Sequence, residues 1–162
     1  MGPTFGCGSA TETGPSATSR GQDPSQVQQR TLAAKPTWLP SGASAALVED
    51  PILSEVPTGD LILIQRGLDI ARLIVADATF TPRRPTGSRV TERNFESLGF
   101  DLIDENGTGA RRAEVVLGGT IIVFRSSGFT EDEFRRMLGG MVQISGPEWE
   151  VWIQGLPRRS KQ

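Results

Sequence analysis

The sequence predicts an α+β domain: a mostly antiparallel sheet of about six strands, one helix over residues 131–138 and a disordered N-terminal tail. Three observations lead there. β-Branched and apolar runs recur without a regular alternation with helical patterns, which argues against βαβ units and a parallel sheet. The stretch 118–140 (GGTIIVFRSSGFTEDEFRRMLGG) reads as strand, tight turn and capped helix. Twenty of residues 1–30 are Gly, Ser, Thr, Pro or Gln, a stretch too poor in apolar surface to offset its ordering entropy.

The tail is therefore assigned to 1–36, the domain to 37–155 and a basic C-terminal tail to 156–162. Within the domain, 45–48 suits a short strand, and Pro51, Pro57 and Gly59 punctuate the next connection. Residues 61–65 (LILIQ) form a buried strand, Gly67 a turn, and 71–80 a further strand ending before Pro82; helical spacing of Leu68, Arg72, Leu73 and Ala76 keeps a helix open for 68–76. Residues 82–90 are a polar loop. Residues 91–98 suit one or two helical turns capped by Thr91 and stopped by Gly99. Strands follow at 100–103 and 113–117, separated by a turn over 104–109, and Gly118-Gly119 signals a hairpin into 120–125. Thr130 and Glu133 make a capping box, Phe129 and Phe134 a hydrophobic staple, and Gly139-Gly140 stops the helix. Residues 141–145 suit a strand. The alternation of acidic and apolar residues over 148–153 (EWEVWI) suits a half-exposed one.

Composition narrows function by exclusion. The net charge is −2 with both signs interspersed, which leaves no electrostatic footprint for nucleic acid or anionic lipid. Histidine and tyrosine are absent and there is one cysteine, so neither an intrachain disulfide nor a thiolate metal cluster is expected. No metal, no cofactor and no catalytic residue is assigned. No apolar run approaches the length of a membrane span.

Four motifs carry chemical readings. Asp104-Glu105-Asn106-Gly107-Thr108-Gly109 opens like a calcium loop, but the closing bidentate Glu would fall at Val115, so a hairpin turn is the better reading. Asn106-Gly107-Thr108 matches a glycosylation sequon by letter only. Arg83, Arg84, Arg89 and Arg93 gather in and after the proline loop, where they could meet phosphate or an acidic partner or remain solvated. Trp149 and Trp152, on opposite sides of a strand, would put one ring in the core and the other at the surface as a partner anchor. Arg83, Arg84, Arg89, Trp149 and Trp152 are thus the candidate partner-binding residues. Asp60, Asp69 and Asp77 flank apolar runs as strand-end carboxylates, and Ser126 and Ser127 sit in no nucleophile elbow.

Cys7, in Phe5-Gly6-Cys7-Gly8-Ser9, looks like the mature start of a bacterial lipoprotein, with a small residue before the cysteine to be lipidated and a polar tether after it. The aliphatic residue usual three positions ahead of the cysteine is replaced by Thr4, and no apolar leader precedes it here. A lone reduced cysteine in a loose N-terminus is the other reading.

Two further motifs carry a resemblance. Trp38-Leu39-Pro40-Ser41-Gly42 resembles the aromatic-Leu-Pro-x-Gly entry of small α+β extracytoplasmic domains in bacterial lipoproteins and anti-sigma-factor-like envelope proteins. The strand leading to Ser127-Gly128-Phe129-Thr130-Glu131-Asp132-Glu133 resembles their last strand, turn and capped helix. The resemblance implies a non-catalytic sensing, carrier or interaction module at the cell envelope. It implies no nucleic-acid partner, and a membrane contact only through a lipid anchor at Cys7. The alternatives are a small carboxylate-dependent enzyme and a soluble cytoplasmic regulatory domain.

Overall fold

The computed structural model describes residues 31–160. Among these residues it is an α+β fold with a mostly antiparallel sheet, with ten strands and two helices rather than about six strands and one helix. The strands are β1 (Leu32–Pro36), β2 (Ser44–Val48), β3 (Asp60–Arg66), β4 (Asp69–Asp77), β5 (Arg89–Phe95), β6 (Phe100–Asp104), β7 (Arg111–Leu117), β8 (Thr120–Ser127), β9 (Met141–Ser145) and β10 (Arg158–Arg159); the helices are α1 (Glu131–Gly139) and α2 (Gly146–Gln154). Eight strands form one sheet in the order β10-β2-β3-β4-β8-β7-β6-β5, and β1 pairs with β9 in a separate ribbon.

The central strands are apolar on both faces because both faces are covered. Leu61, Ile62, Leu63 and Ile64 of β3 are all buried, as are Leu73, Ile74, Val75 and Ala76 of β4. On the first face, Ile62, Ile64, Leu73, Ile122 and Phe124 meet Phe134, Met137 and Leu138 of α1, Ala33 and Ala34 of β1, and Trp149 and Ile153 of α2. Phe124 stacks on Phe134 with ring centroids 5.7 Å apart. On the second face, Leu61, Leu63, Ile74, Ala76, Ile121 and Val123 are covered by Val56, Leu53, Ala78 and Phe80 from the segments around the sheet. Burying a single Leu or Ile in this way contributes roughly 1.5–3 kcal/mol.

The capped helix begins as the sequence indicates. Thr130 Oγ1 accepts from the Glu133 amide at 3.1 Å and Glu133 Oε1 accepts from the Thr130 amide at 3.0 Å. The Gly118-Gly119 hairpin joins β7 to β8, with Gly118 at φ +57°, a left-handed conformation that glycine adopts without strain.

Four expectations are corrected. Residues 91–98 are not helical: β5 occupies Arg89–Phe95 at the sheet edge, with register shifts between Val90 and Glu92 and between Glu92 and Phe95. Such irregularities hide an edge from further pairing. Residues 148–153 are helical, not extended. A second capping box, Ser145 with Glu148, opens α2, and Pro147 stands in its first turn, where a missing N–H costs nothing. Ordered chain also reaches past the expected limits of the domain. Leu32–Pro36 form β1 against β9 in antiparallel register, and Arg158–Arg159 of the basic tail run parallel to Leu47 and Val48 of β2. Both depend on partners distant in sequence, so local composition does not reveal them. Finally, the helical option for 68–76 gives way to β4, whose alternate residues serve the two buried faces. Cys7 and residues 1–30 lie outside the described residues.

Candidate functional site

The second face of the sheet changes character toward β7 and β6. β4, β8 and β7 carry Arg72, Arg125 and Arg112 at directly paired positions, so three guanidinium groups stand in one lateral row. Like charges opposite one another on a sheet repel. The row is held by carboxylates from other elements. Glu55 Oε2 meets Arg72 Nη1 at 3.1 Å. Glu105, fully buried just beyond β6, accepts from Arg125 Nε at 2.9 Å and lies 3.4 Å from Arg112 Nη1. Glu114, two residues along β7 from Arg112, accepts from Arg112 Nε at 2.7 Å. Arg84 adds a two-pronged pair, with Nε donating to the same Oε2 at 3.1 Å and Nη2 to Oε1 at 2.7 Å. Hydrogen bonding to Glu114 raises Arg84 above its ordinary pKa, and hydrogen bonding to Glu105 does the same for Arg125; burial opposes both.

Two loops are clamped over this row. The Arg83 amide donates to the Glu55 carbonyl at 2.7 Å, and the Arg83 carbonyl accepts from Arg112 Nη2 at 2.9 Å. Arg72 Nη2 also reaches the Ile52 carbonyl at 3.2 Å. Between the loops and the sheet lies a cavity of about 280 Å³ lined by Ser54, Glu55, Arg83, Arg84, Pro85, Arg112 and Arg125. Five guanidinium groups (Arg72, Arg83, Arg84, Arg112, Arg125) face three carboxylates (Glu55, Glu105, Glu114) here, an excess of two positive charges in a chain whose net charge is −2. Asp101, whose field also reaches Arg84, is itself paired with Arg93 at 3.2 Å. Arg83 is exposed at the cavity, with no ion pair among the described residues. Glu55 is only 4 % exposed, and its Oε1 has no hydrogen-bond partner among them.

Of the candidate residues, Arg83 and Arg84 come together at this cavity. Arg89 does not: it is exposed on β5 and lies 3.7 Å from Asp104. The two tryptophans, three apart on a helix, share a side of α2 instead of opposing each other, with ring centroids 5.3 Å apart. Trp149 is core, its indole N–H donating to Asp60 Oδ2 at 2.8 Å. Trp152 is half-buried and lines an apolar groove of about 540 Å³ with Lys35, Ile144, Pro147, Glu148 and Val151.

The strand-end aspartates have separate occupations: Asp60 binds Trp149, Asp69 binds Arg66 at 2.9 Å, and Asp77 accepts from the Thr79 amide at 2.9 Å. The 104–109 turn is a hairpin connection, with Asn106 and Gly107 at φ +61° and +72°. No group of three His, Cys, Asp or Glu among the described residues is arranged to hold a metal ion. Arg72, Arg112, Arg125, Glu55, Glu105 and Glu114 were not singled out from sequence. One signal was present: β7 reads RRAEVVL, which places Arg112 and Glu114 on one face of the strand and Arg111 on the other.

Compared with known proteins, the chain matches no family model, no curated protein and no solved structure.

Proposed function

We propose that the chain is a non-catalytic binding module, tethered at the cell envelope through Cys7, that captures a small acidic ligand in the arginine cavity. The observation that carries the reading is the convergence of Arg83, Arg84, Arg112 and Arg125 on one cavity with charge to spare. Guanidinium groups pair with carboxylate or phosphate through two parallel hydrogen bonds, and Arg83 has its fork available for such a pair. Binding is favoured over carboxylate-dependent catalysis because Glu55, Glu105 and Glu114 each already answer a guanidinium. No helix among the described residues is long and apolar enough to cross a membrane, so the membrane contact in this reading is the lipid on Cys7 alone.

Isothermal titration with acetate, propionate, butyrate and inorganic phosphate tests the ligand. At least one should bind saturably, more weakly as salt rises, and about tenfold more weakly to Arg83→Ala, the loss expected for one charge-assisted contact. No saturable binding by any of them, or equal binding by the variant, would refute the site. Intact mass of the protein expressed from its full locus tests the tether. A lipidated Cys7 at the N-terminus supports it, and an unmodified Cys7 still preceded by Met1 ends it.

A further inference from the structure

The charges around the arginine cavity differ in their access to solvent. The three acids, Glu55, Glu105 and Glu114, are all buried, and the unpaired Oε1 of Glu55 is sealed from solvent. Three of the lining arginines are accessible: Arg83 is exposed, and the side chains of Arg84 and Arg125 are 38 % and 32 % exposed. Each of the three keeps donors in reserve. Arg84 spends Nε and Nη2 on Glu114, which leaves Nη1 without a hydrogen bond among the described residues. Arg125 spends Nε and Nη2 on Glu105; its Nη1 is likewise unbonded among them and is not one of their sealed polar atoms. The Arg83 guanidinium is uncommitted, while its backbone is fastened through the amide to the Glu55 carbonyl and through the carbonyl to Arg112 Nη2. Arg83 and Arg84 stand on the loop between β4 and β5, and Arg125 stands on β8, so the spare donors come from separate elements. A carboxylate is planar, carries one charge and is answered by a single guanidinium fork. A phosphate monoester has three acceptor oxygens and a charge of roughly −1.5 to −2 at neutral pH. The second description fits three guanidinium groups and a local excess of two positive charges.

We infer that the ligand is a small soluble phosphate monoester whose three terminal oxygens are shared among Arg83, Arg84 and Arg125. The inference rests on the binding reading above and narrows its acid to a phosphoryl group. A lipid headgroup can carry the same group. The soluble ester is favoured because the cavity, about 280 Å³ between two clamped loops and the sheet, suits a small molecule, and because a chain of net charge −2 has no wider attraction to an anionic bilayer.

Titration calorimetry on the full chain compares ethyl phosphate with propionate, succinate and ethyl sulfate: one planar charge, two planar charges, and a tetrahedral head with a single charge. Ethyl phosphate should bind about tenfold tighter or more than each of the others, a difference of one strong contact. Arg84→Lys and Arg125→Lys keep a charge beside Glu114 and Glu105 but remove the spare nitrogen. Each should weaken ethyl phosphate more than propionate and bring the two to within about threefold. Equal losses for the two ligands, or no loss in either variant, would overturn the shared contact. If propionate, succinate or ethyl sulfate binds as tightly as ethyl phosphate to the unaltered protein, the phosphoryl group is wrong and the anion site stands. If none of the four binds, the anion site itself is wrong and the inference falls with it. Phosphatidylcholine vesicles containing phosphatidic acid should sediment no more protein than phosphatidylcholine alone; enrichment would put the phosphate on a lipid and overturn the soluble ester. Should either variant fail to fold, the four probes on the unaltered protein decide alone.

Discussion

Glu133 shows how much one side chain can join. Its carboxylate closes the capping box of α1 and also grips Arg66 at the β3–β4 turn, with Nη1 at 2.7 Å and Nη2 at 3.1 Å. Arg66 in turn holds Asp69 and lies over the Phe129 ring, 4.9 Å from its centroid. The Arg66 hydrogen bonds, then the Thr130 amide, push the Glu133 carboxyl from 4.5 down to about 2. A folded-state pKa below the unfolded one means the stabilisation is fully present above pH 4.5 and is lost as pH falls toward 2. The pair is solvent-accessible, so salt weakens it. Denaturation midpoints of the wild type and Glu133→Gln should therefore differ most above pH 4.5 and converge toward pH 2. Midpoints that stay a constant distance apart over that range would show that Glu133 gains nothing from Arg66.

At the scale of elements, the two helices follow one rule, and only one of them was recognised from sequence. Thr130 with Glu133 and Ser145 with Glu148 are the same capping box, each with both reciprocal hydrogen bonds. Thr130→Ala and Ser145→Ala should each cost ~1 kcal/mol, read as a shift in urea midpoint at unchanged slope. A midpoint that does not move for either would mean that its helix does not depend on its cap. Helix α2 was concealed by the acidic–apolar alternation of EWEVWI, which fits a period of two as well as its actual helical turn. The start signal SGPE was as clear as the one before α1. The edge strand β5 was concealed in the opposite way. Its polar, mostly exposed TERNF has no strand period to read, and it is extended only because β6 pairs with it across two irregularities.

Over the whole molecule, the sheet brings three arginines into register, and the loops and β7 bring the acids that make the row tolerable. Arg112 is the hinge of that balance, 1 % exposed and bonded to both Glu105 and Glu114. Arg112→Met should cost about 3–5 kcal/mol, since it strips a partner from two buried carboxylates. A loss below about 1 kcal/mol in chemical denaturation would mean that the network is as easily replaced as a surface ion pair. The strong strands, the Gly118-Gly119 hairpin and helix α1 were legible because their signals are local: β-branched runs, a two-residue turn, a cap with its staple. The site was half legible. Arg83 and Arg84 stood out as a cluster in a polar loop. Arg125 and Arg72 each looked like an isolated charge in its own strand, Arg112 fell just before the expected strand at 113–117, and Glu105 looked like part of a turn. By itself the sequence determined that the apolar runs of β2, β3, β4, β6, β7, β8 and β9 extend, which segment coils after Thr130 and where arginine is plentiful, because propensity, capping and turn chemistry act within a few residues. Only the tertiary structure decided that β4, β8 and β7 lie side by side, that Glu55 folds in beneath Arg83, and that the C-terminal arginines join the sheet. Pairing register is set by contacts between residues tens of positions apart, and these leave no local trace.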